Sequence, residues 1–310
     1  MRASLIAISA LLALTSVMET AAAQPPAATA EFRLFSIGNL KAIALKDGSL
    51  QEPNDGKSFV MGHAPSEVAA VLKSGGAPTD HLEFSIQPLL VRAGDHVLLF
   101  DTGAGGNFGP IAGALPQSMQ AAGVDPASVT DIFISHVHGD HIGGLLTPAG
   151  ALAFPNATIH MSAPEWSYLS GMSADTARMV GLARLDVLLK TIKPKVAPFK
   201  PDADVIPGLV KAVEIRGHTP GHSGYLIGSG GNTLLYLGDT LHSSIVSVRE
   251  PQWQIAFDAD PSTGAASRVA FLARVAASGQ RLYGVHLPFP GVGKIVKQDG
   301  GYSWVPESLH

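Results

Sequence analysis

The chain contains no cysteine. That absence removes a disulfide framework, a thiolate nucleophile and cysteine-ligated zinc together, so any metal site must be assembled from histidine, aspartate and glutamate. Charge is also scarce: 15% of the 310 residues are Asp, Glu, Lys or Arg, the net charge is −4, and no Lys/Arg-rich run occurs. The electrostatic footprint of a DNA or RNA binder is missing, and nucleic acid is not expected as a partner. From Phe32 onward the sequence shows no low-complexity linker, no repeat at a solenoid period and no long block of like charge. One domain, residues 32–310, is the simplest partition. What the chain does have is apolar residues, 46% of the total, enough for a large core.

The N-terminus reads as an address rather than as structure. Arg2 precedes an apolar run from Leu5 to Val17, and Ala21-Ala22-Ala23 offers small residues for cleavage, which predicts a Sec-type signal peptide over residues 1–23. The run is too short to cross a hydrocarbon core of roughly 30 Å comfortably. A periplasmic or secreted protein is expected, with no membrane insertion after cleavage. Residues 24–31, rich in Pro and Ala, read as a disordered lead-in.

Strands and helices then alternate. Phe32 to Leu45, Phe84 to Val91 and His96 to Phe100 carry strand patterns, Ile111 to Ala122 has helical spacing, and Asp131 to Ser135 is a short buried strand. Thr158 to Met161 predicts a strand, Pro164 to Leu169 opens a helix, and Ala174 to Ile192 continues a long helical pattern. Val210 to Ile215, Gly224 to Ile227 and Thr233 to Leu237 predict strands, and Ser262 to Ala277 an amphipathic helix. The order is that of an α/β protein; two packed sheets covered by helices fit it, as would a doubly wound sheet.

The chemistry is concentrated in Ser135-His136-Val137-His138-Gly139-Asp140-His141-Ile142-Gly143-Gly144, directly after an apolar strand. In extended backbone His136 and His138 point to one side, and the glycines let the loop fold Asp140 and His141 back towards the same point. Further downstream, Gly217-His218-Thr219-Pro220-Gly221-His222 precedes a strand, Gly238-Asp239-Thr240 follows one, and His286 follows the apolar Leu282 to Val285. Strand ends are where such a protein gathers site residues from distant sequence. On composition His218 and His222 are equal candidates. Nitrogen and oxygen donors without sulfur suit zinc, and also manganese, cobalt or iron(II). Asp239 is the natural bridging carboxylate, and a hydroxide held between two cations is a nucleophile at neutral pH because coordination lowers the pKa of water from 15.7 towards roughly 7.

His136-x-His138-x-Asp140-His141, Gly217-His218-Thr219, Asp239 and His286, in this order, resemble the motif set of the metallo-β-lactamase superfamily. The resemblance implies an αββα sandwich, two mixed sheets flanked by helices, and a hydrolase with two divalent metal ions. It implies that His136, His138 and His218 hold one metal, that Asp140, His141 and His286 hold the other, and that Asp239 bridges. It makes Asp140 and Asp239 the catalytic carboxylates, selects His218 over His222, leaves His222 to support the ligands, and gives Asp101 the role of orienting them.

Within the superfamily, the stretches Asp101 to Pro110, Ala153 to Ala157 and His286 to Gly293 are similar to the methyl parathion hydrolase and dihydrocoumarin hydrolase group, over nearly the whole chain after the signal. That likeness implies a substrate pocket walled by Phe108, Tyr168 and His242, and a homodimer. Tyr168 and His242 are more polar than the organophosphate-degrading members carry, so lactones and carboxylic esters are expected ahead of phosphotriesters. A β-lactamase or a primary organophosphate hydrolase are the alternative enzymes, and a periplasmic metal-binding protein without catalysis is the alternative class. Ligands dispersed over some 150 residues and pinned at strand ends argue against the last.

Overall fold

The computed structural model describes residues 27–229, 231–298 and 300–309. The expected signal peptide and the start of the expected lead-in lie outside them. Ala28 donates its N–H to the Pro110 carbonyl at 2.8 Å, and the first strand begins at Glu31.

In chain order the strands are β1 Glu31–Ile37, β2 Leu40–Lys46, β3 Gly48–Pro53, β4 His81–Ile86, β5 Leu89–Ala93, β6 His96–Phe100, β7 Asp131–Phe133 and β8 Thr158–Ser162. They continue with β9 Val196–Phe199, β10 Asp204–Ile206, β11 Val210–Glu214, β12 Ser223–Ser229, β13 Asn232–Tyr236, β14 Arg281–Tyr283, β15 Val292–Gln298 and β16 Gly301–Pro306. The helices are α1 Pro65–Ser74, α2 Leu115–Ala121, α3 Gly139–Ile142, α4 Ala163–Ser170, α5 Ala174–Met179, α6 Leu185–Ile192, α7 Val246–Arg249 and α8 Pro261–Ser278. One seven-stranded sheet has the order β1-β2-β5-β6-β7-β8-β9 and the other runs β10 to β16 in sequence, while β3 and β4 form a separate pair. Both large sheets are mixed and flanked by helices, the sandwich expected from the sequence.

Strand alternation builds three layers of core from two sheets. In β5 and β6, Leu89, Val91, Leu98 and Phe100 face the second sheet and meet Tyr225, Ile227, Leu234, Tyr236 and Tyr283. Their neighbours Leu90 and Leu99 face the other way, against Leu115 and Met119 of α2 and Leu188 of α6. On the far side, Leu235 and Leu282 pack under Phe271, Leu272 and Val275 of α8. The apolar side chains therefore fill both faces of each sheet, and the polar chemistry is left to the loops at their ends.

Three sequence expectations change. Phe84 to Val91 divides at Gln87-Pro88: β4 pairs with β3 and β5 with β2, since Pro88 has no N–H for a ladder. The long helical pattern Ala174 to Ile192 breaks into α5 and α6 around Gly181, whose φ of 77° is left-handed and where an added Cβ would lie 2.6 Å from the Phe108 ring. The helix expected from Ile111 starts at Leu115, whose N–H goes to the buried Asp47 carboxylate at 2.8 Å.

Candidate metal centre

Strands β6, β7 and β8 run parallel, as do β13 and β14, so their C-terminal ends open on the same side of each sheet. The loop after β7 carries His136 and His138 into the one-turn helix α3, which holds Asp140 and His141. From the second sheet come His218, between β11 and β12, Asp239, in the turn directly after β13, and His286, after β14. All seven residues expected from the sequence converge.

The donors form two groups. One atom each of His136, His138, His218 and Asp239 lie within 4.8 Å of one another, and so do one atom each of Asp140, His141 and His286. His218 Nε2 is 3.1 Å from both His136 Nε2 and His138 Nδ1, and His141 Nε2 is 3.3 Å from His286 Nε2. Asp239 stands between the groups: its Oδ2 is 3.2 Å from His218 Nε2 and 3.6 Å from His136 Nε2, while its Oδ1 is 3.0 Å from His141 Nε2 and 3.2 Å from His286 Nε2. Oδ1 is buried and has no aligned hydrogen-bond donor despite these neighbours. Ring nitrogens converging at 3.1–3.3 Å cannot all be donors to one another, and a buried carboxylate oxygen without a partner is costly. A cation among the lone pairs removes both problems, so the residues present fit divalent metal ions.

The protonation pattern agrees. Burial disfavours the imidazolium of His141, but Asp239, Asp140 and Asp101 outweigh it and hold its pKa well above the usual value. Burial likewise opposes the charge on His218, yet Asp239 and Asp258 raise it to about 9. His138 goes the other way, lowered to about 3 by burial and by His218. The carboxylates thus hold positive charge at this position, and metal ions would replace those protons.

Behind the donors stands a set of groups that fix ring orientation. The Asp101 carboxylate accepts His141 Nδ1 at 2.7 Å, the Ser135 backbone N–H and hydroxyl at 2.7 Å each, and the Tyr236 hydroxyl at 2.8 Å. Its backbone takes the left-handed φ of 56°, a conformation these four bonds over-determine. The Ser85 carbonyl accepts His286 Nδ1 at 2.7 Å. Asp258 accepts His218 Nδ1 at 3.0 Å and is itself held by Arg268 Nη1 at 3.0 Å, with both side chains buried. His222 donates Nδ1 to the Ile215 carbonyl and accepts the Asp239 N–H, so it supports the cluster.

Sequence reasoning missed Asp258, Arg268, Ser85, Glu165 and Asp47. Only Glu165 carried a local signal, the Ser162-x-x-Glu165 helix-start pattern. Its side chain does not turn back to cap the helix; it reaches the backbone of Val137 and Gly221 and the Thr219 hydroxyl. Burial pushes its carboxyl up to about 7 against those three donors.

Of the three expected pocket residues, His242 lies against the cluster. Its Nε2 is 3.0 Å from Asp239 Oδ2, its ring stacks on His286 at 10°, and Phe59, Phe84 and Phe257 surround it. Neither ring nitrogen has an aligned hydrogen-bond partner. Phe108 is half-buried against Gly181, next to the Val180 carbonyl that accepts the Gly139 N–H at 2.8 Å. Tyr168 is half-buried on α4 against the core of the first sheet.

The family model of the metallo-β-lactamase superfamily matches residues 83–286. The chain belongs to that superfamily and is a metal-dependent hydrolase. AidC, a dizinc quorum-quenching lactonase solved with its product, is 31% identical, with a TM-score of 0.84 over 91% of this chain and 99% of its own. The hydrolase AbOPH, of the same superfamily, is 28% identical with a TM-score of 0.80, covering 93% of this chain and all of AbOPH. Among curated sequences, ribonuclease Z of Pyrococcus furiosus is 31% identical over 101 residues, 32% of this chain and 29% of the relative's own length. Among the described residues no helix is long and apolar enough to cross a membrane.

Proposed function

We propose that this hydrolase opens lactones and carboxylic esters, using two divalent cations, zinc first among them. His136, His138 and His218 hold one cation, Asp140, His141 and His286 the other, and Asp239 is shared. The observation that carries this reading is the Asp239 carboxylate, with one oxygen turned to each group of donors. The lactone class rests on AidC, similar over almost its whole length. When bound, the cations would supply water acidified by coordination and an electrophile for the developing oxyanion.

The chain's own residues do the rest. Asp140, whose Oδ2 lies 3.4 Å from both His141 Nε2 and His286 Nε2, would take up the proton lost by the attacking water and return it to the leaving alkoxide, while Asp239 would stay shared between the two donor groups. Asp101, Asp258 and the Ser85 carbonyl hold His141, His218 and His286 in one tautomer each, presenting Nε2 to the metals. His242, in an apolar wall of Phe59, Phe84 and Phe257, has an unpartnered Nδ1 and an Nε2 that is not aligned with the neighbouring Asp239, and offers a hydrogen bond to the ester or lactone. Phe108 and Tyr168 complete the pocket. Phosphotriesters are a secondary substrate class. The working form is an exported homodimer. An aryl lactone assay with and without chelator tests the core reading: turnover that survives complete metal removal overturns it.

A further inference from the structure

The three imidazoles of the first donor group come from two loops that no strand pairing joins directly. His136 and His138 flank Val137; His218 opens the Thr219-Pro220-Gly221 turn. Apart from the Ser223 N–H that donates to the Ser135 carbonyl at 2.9 Å, one side chain spans the gap. Glu165, fully buried on the first turn of α4, accepts the Val137 N–H on Oε1 at 2.8 Å, and on Oε2 the Thr219 hydroxyl at 2.9 Å and the Gly221 N–H at 2.8 Å. The same helix turn takes the other side of Gly221, whose carbonyl accepts the Ser162 hydroxyl at 2.6 Å. The fit is close enough that a Cβ on Gly221 would lie 2.3 Å from the Glu165 nitrogen.

We propose that Glu165 is the positioning residue of the first metal site: its carboxylate locks the His136–His138 loop to the His218 loop and sets that site's affinity without touching the metal. This rests on the ligand assignment above. The chemistry requires a carboxylate. Three donors converge on two oxygens, and two of them are backbone N–H groups that cannot reverse roles. A glutamine of the same shape can offer its oxygen to Val137 or to Gly221, and must turn its NH2 towards the other. One of the two loops then loses its anchor on residue 165, and the histidines it carries lose their fixed position. The second donor group has no such dependence: His141 is held by Asp101 and His286 by the Ser85 carbonyl.

The test is titration of the full-length apoprotein with Zn2+ in competition with a chromophoric chelator, giving two dissociation constants. His218→Ala identifies which constant belongs to the first site, because that site loses a ligand. Glu165→Gln should weaken the same constant by about 10–100-fold and leave the other within about twofold, while the apoprotein melts at a lower temperature because an NH2 now faces a buried N–H; the selectivity between the two sites, and not the melting temperature, is the deciding readout. Thr219→Val, which removes one donor and keeps the side-chain volume, should weaken that constant several-fold. Unchanged constants in Glu165→Gln, or an equal loss at both sites, would overturn the proposal. If Glu165→Gln does not fold, Thr219→Val decides on the same criterion. The two readings fail separately: His218→Ala with both constants intact sinks the ligand assignment and this inference with it, whereas loss of one site in His218→Ala beside wild-type constants in Glu165→Gln sinks the inference alone.

Discussion

His222 accepts the backbone N–H of Asp239 on Nε2 at 2.9 Å while its Nδ1 donates to the Ile215 carbonyl at 3.1 Å. Both ring nitrogens are committed, and burial together with His218 lowers its pKa to about 3, so the ring is neutral. It has no lone pair left for a metal. His218→Ala should remove one metal equivalent, whereas His222→Ala should retain both and lose activity by about 10–100-fold through a misplaced Asp239. Metal content and kcat measured on both variants decide this; the opposite pattern of metal loss would reverse the assignment.

Asp239 faces both donor groups, so its loss should affect both. The wild-type protein is expected to carry two metal equivalents by elemental analysis. In Asp239→Ala the second equivalent and the activity should fall together, because the carboxylate that offsets repulsion between the cations is gone. Normal turnover with two bound metals in that variant would show that Asp239 is not shared.

Substrate choice depends on the wall and not on the metals. His242 is buried with Nδ1 unpartnered and with Nε2 beside the Asp239 carboxylate at 3.0 Å but not aligned for a hydrogen bond, a group that an apolar aryl phosphotriester leaves unsatisfied and a lactone or ester can engage. The kcat/KM for dihydrocoumarin should exceed that for methyl parathion by at least about tenfold, equal to roughly 1.4 kcal/mol. His242→Leu combined with Tyr168→Trp should narrow the gap. A wild-type preference for methyl parathion would refute the argument.

Asp47 gives a pH prediction at a carboxyl that is not itself a metal donor. Burial raises its carboxyl from 3.8 to about 6, although the N–H groups of Ala104, Leu115 and Gly113 oppose the shift. The folded state therefore binds the proton more tightly than the unfolded chain does. The associated stability is fully present below pH 3.8 and is lost as pH rises through about 6. The linkage amounts to about 3 kcal/mol. Asp47→Asn should abolish this component of the stability–pH curve and lower stability at all pH values, since its NH2 must face one of the three N–H donors. Chemical denaturation of metal-free wild type and variant at pH 4, 5, 6 and 7 measures both effects.

Much of the centre was legible because metal donors are chemically distinctive and fall where strands end. The alternation in His96 to Phe100 gave β6 with its observed limits, and the His136 to His141 loop follows β7 as expected. What was hidden depends on contacts between distant residues. The break at Gly181 is tied to the Phe108 ring, more than 70 residues earlier, and nothing in the helical periodicity of Ala174 to Ile192 records it. Asp258 looks like any loop aspartate until α8 brings Arg268 beside it. His218 and His222 are alike in composition, and only the carbonyl and the N–H that occupy His222 separate them.

The division of donors between the two sheets has a consequence for the order in which the protein is made. His136 to His141 are synthesised first, His218 and Asp239 much later, and His286 last of the seven. Neither cage is complete until strands of both sheets have left the ribosome and the two sheets have met. Metal loading therefore waits on the docking of the two sheets. Were the chain exported unfolded, its resident ion would be drawn from the compartment where the chain folds and not from the one where it is translated.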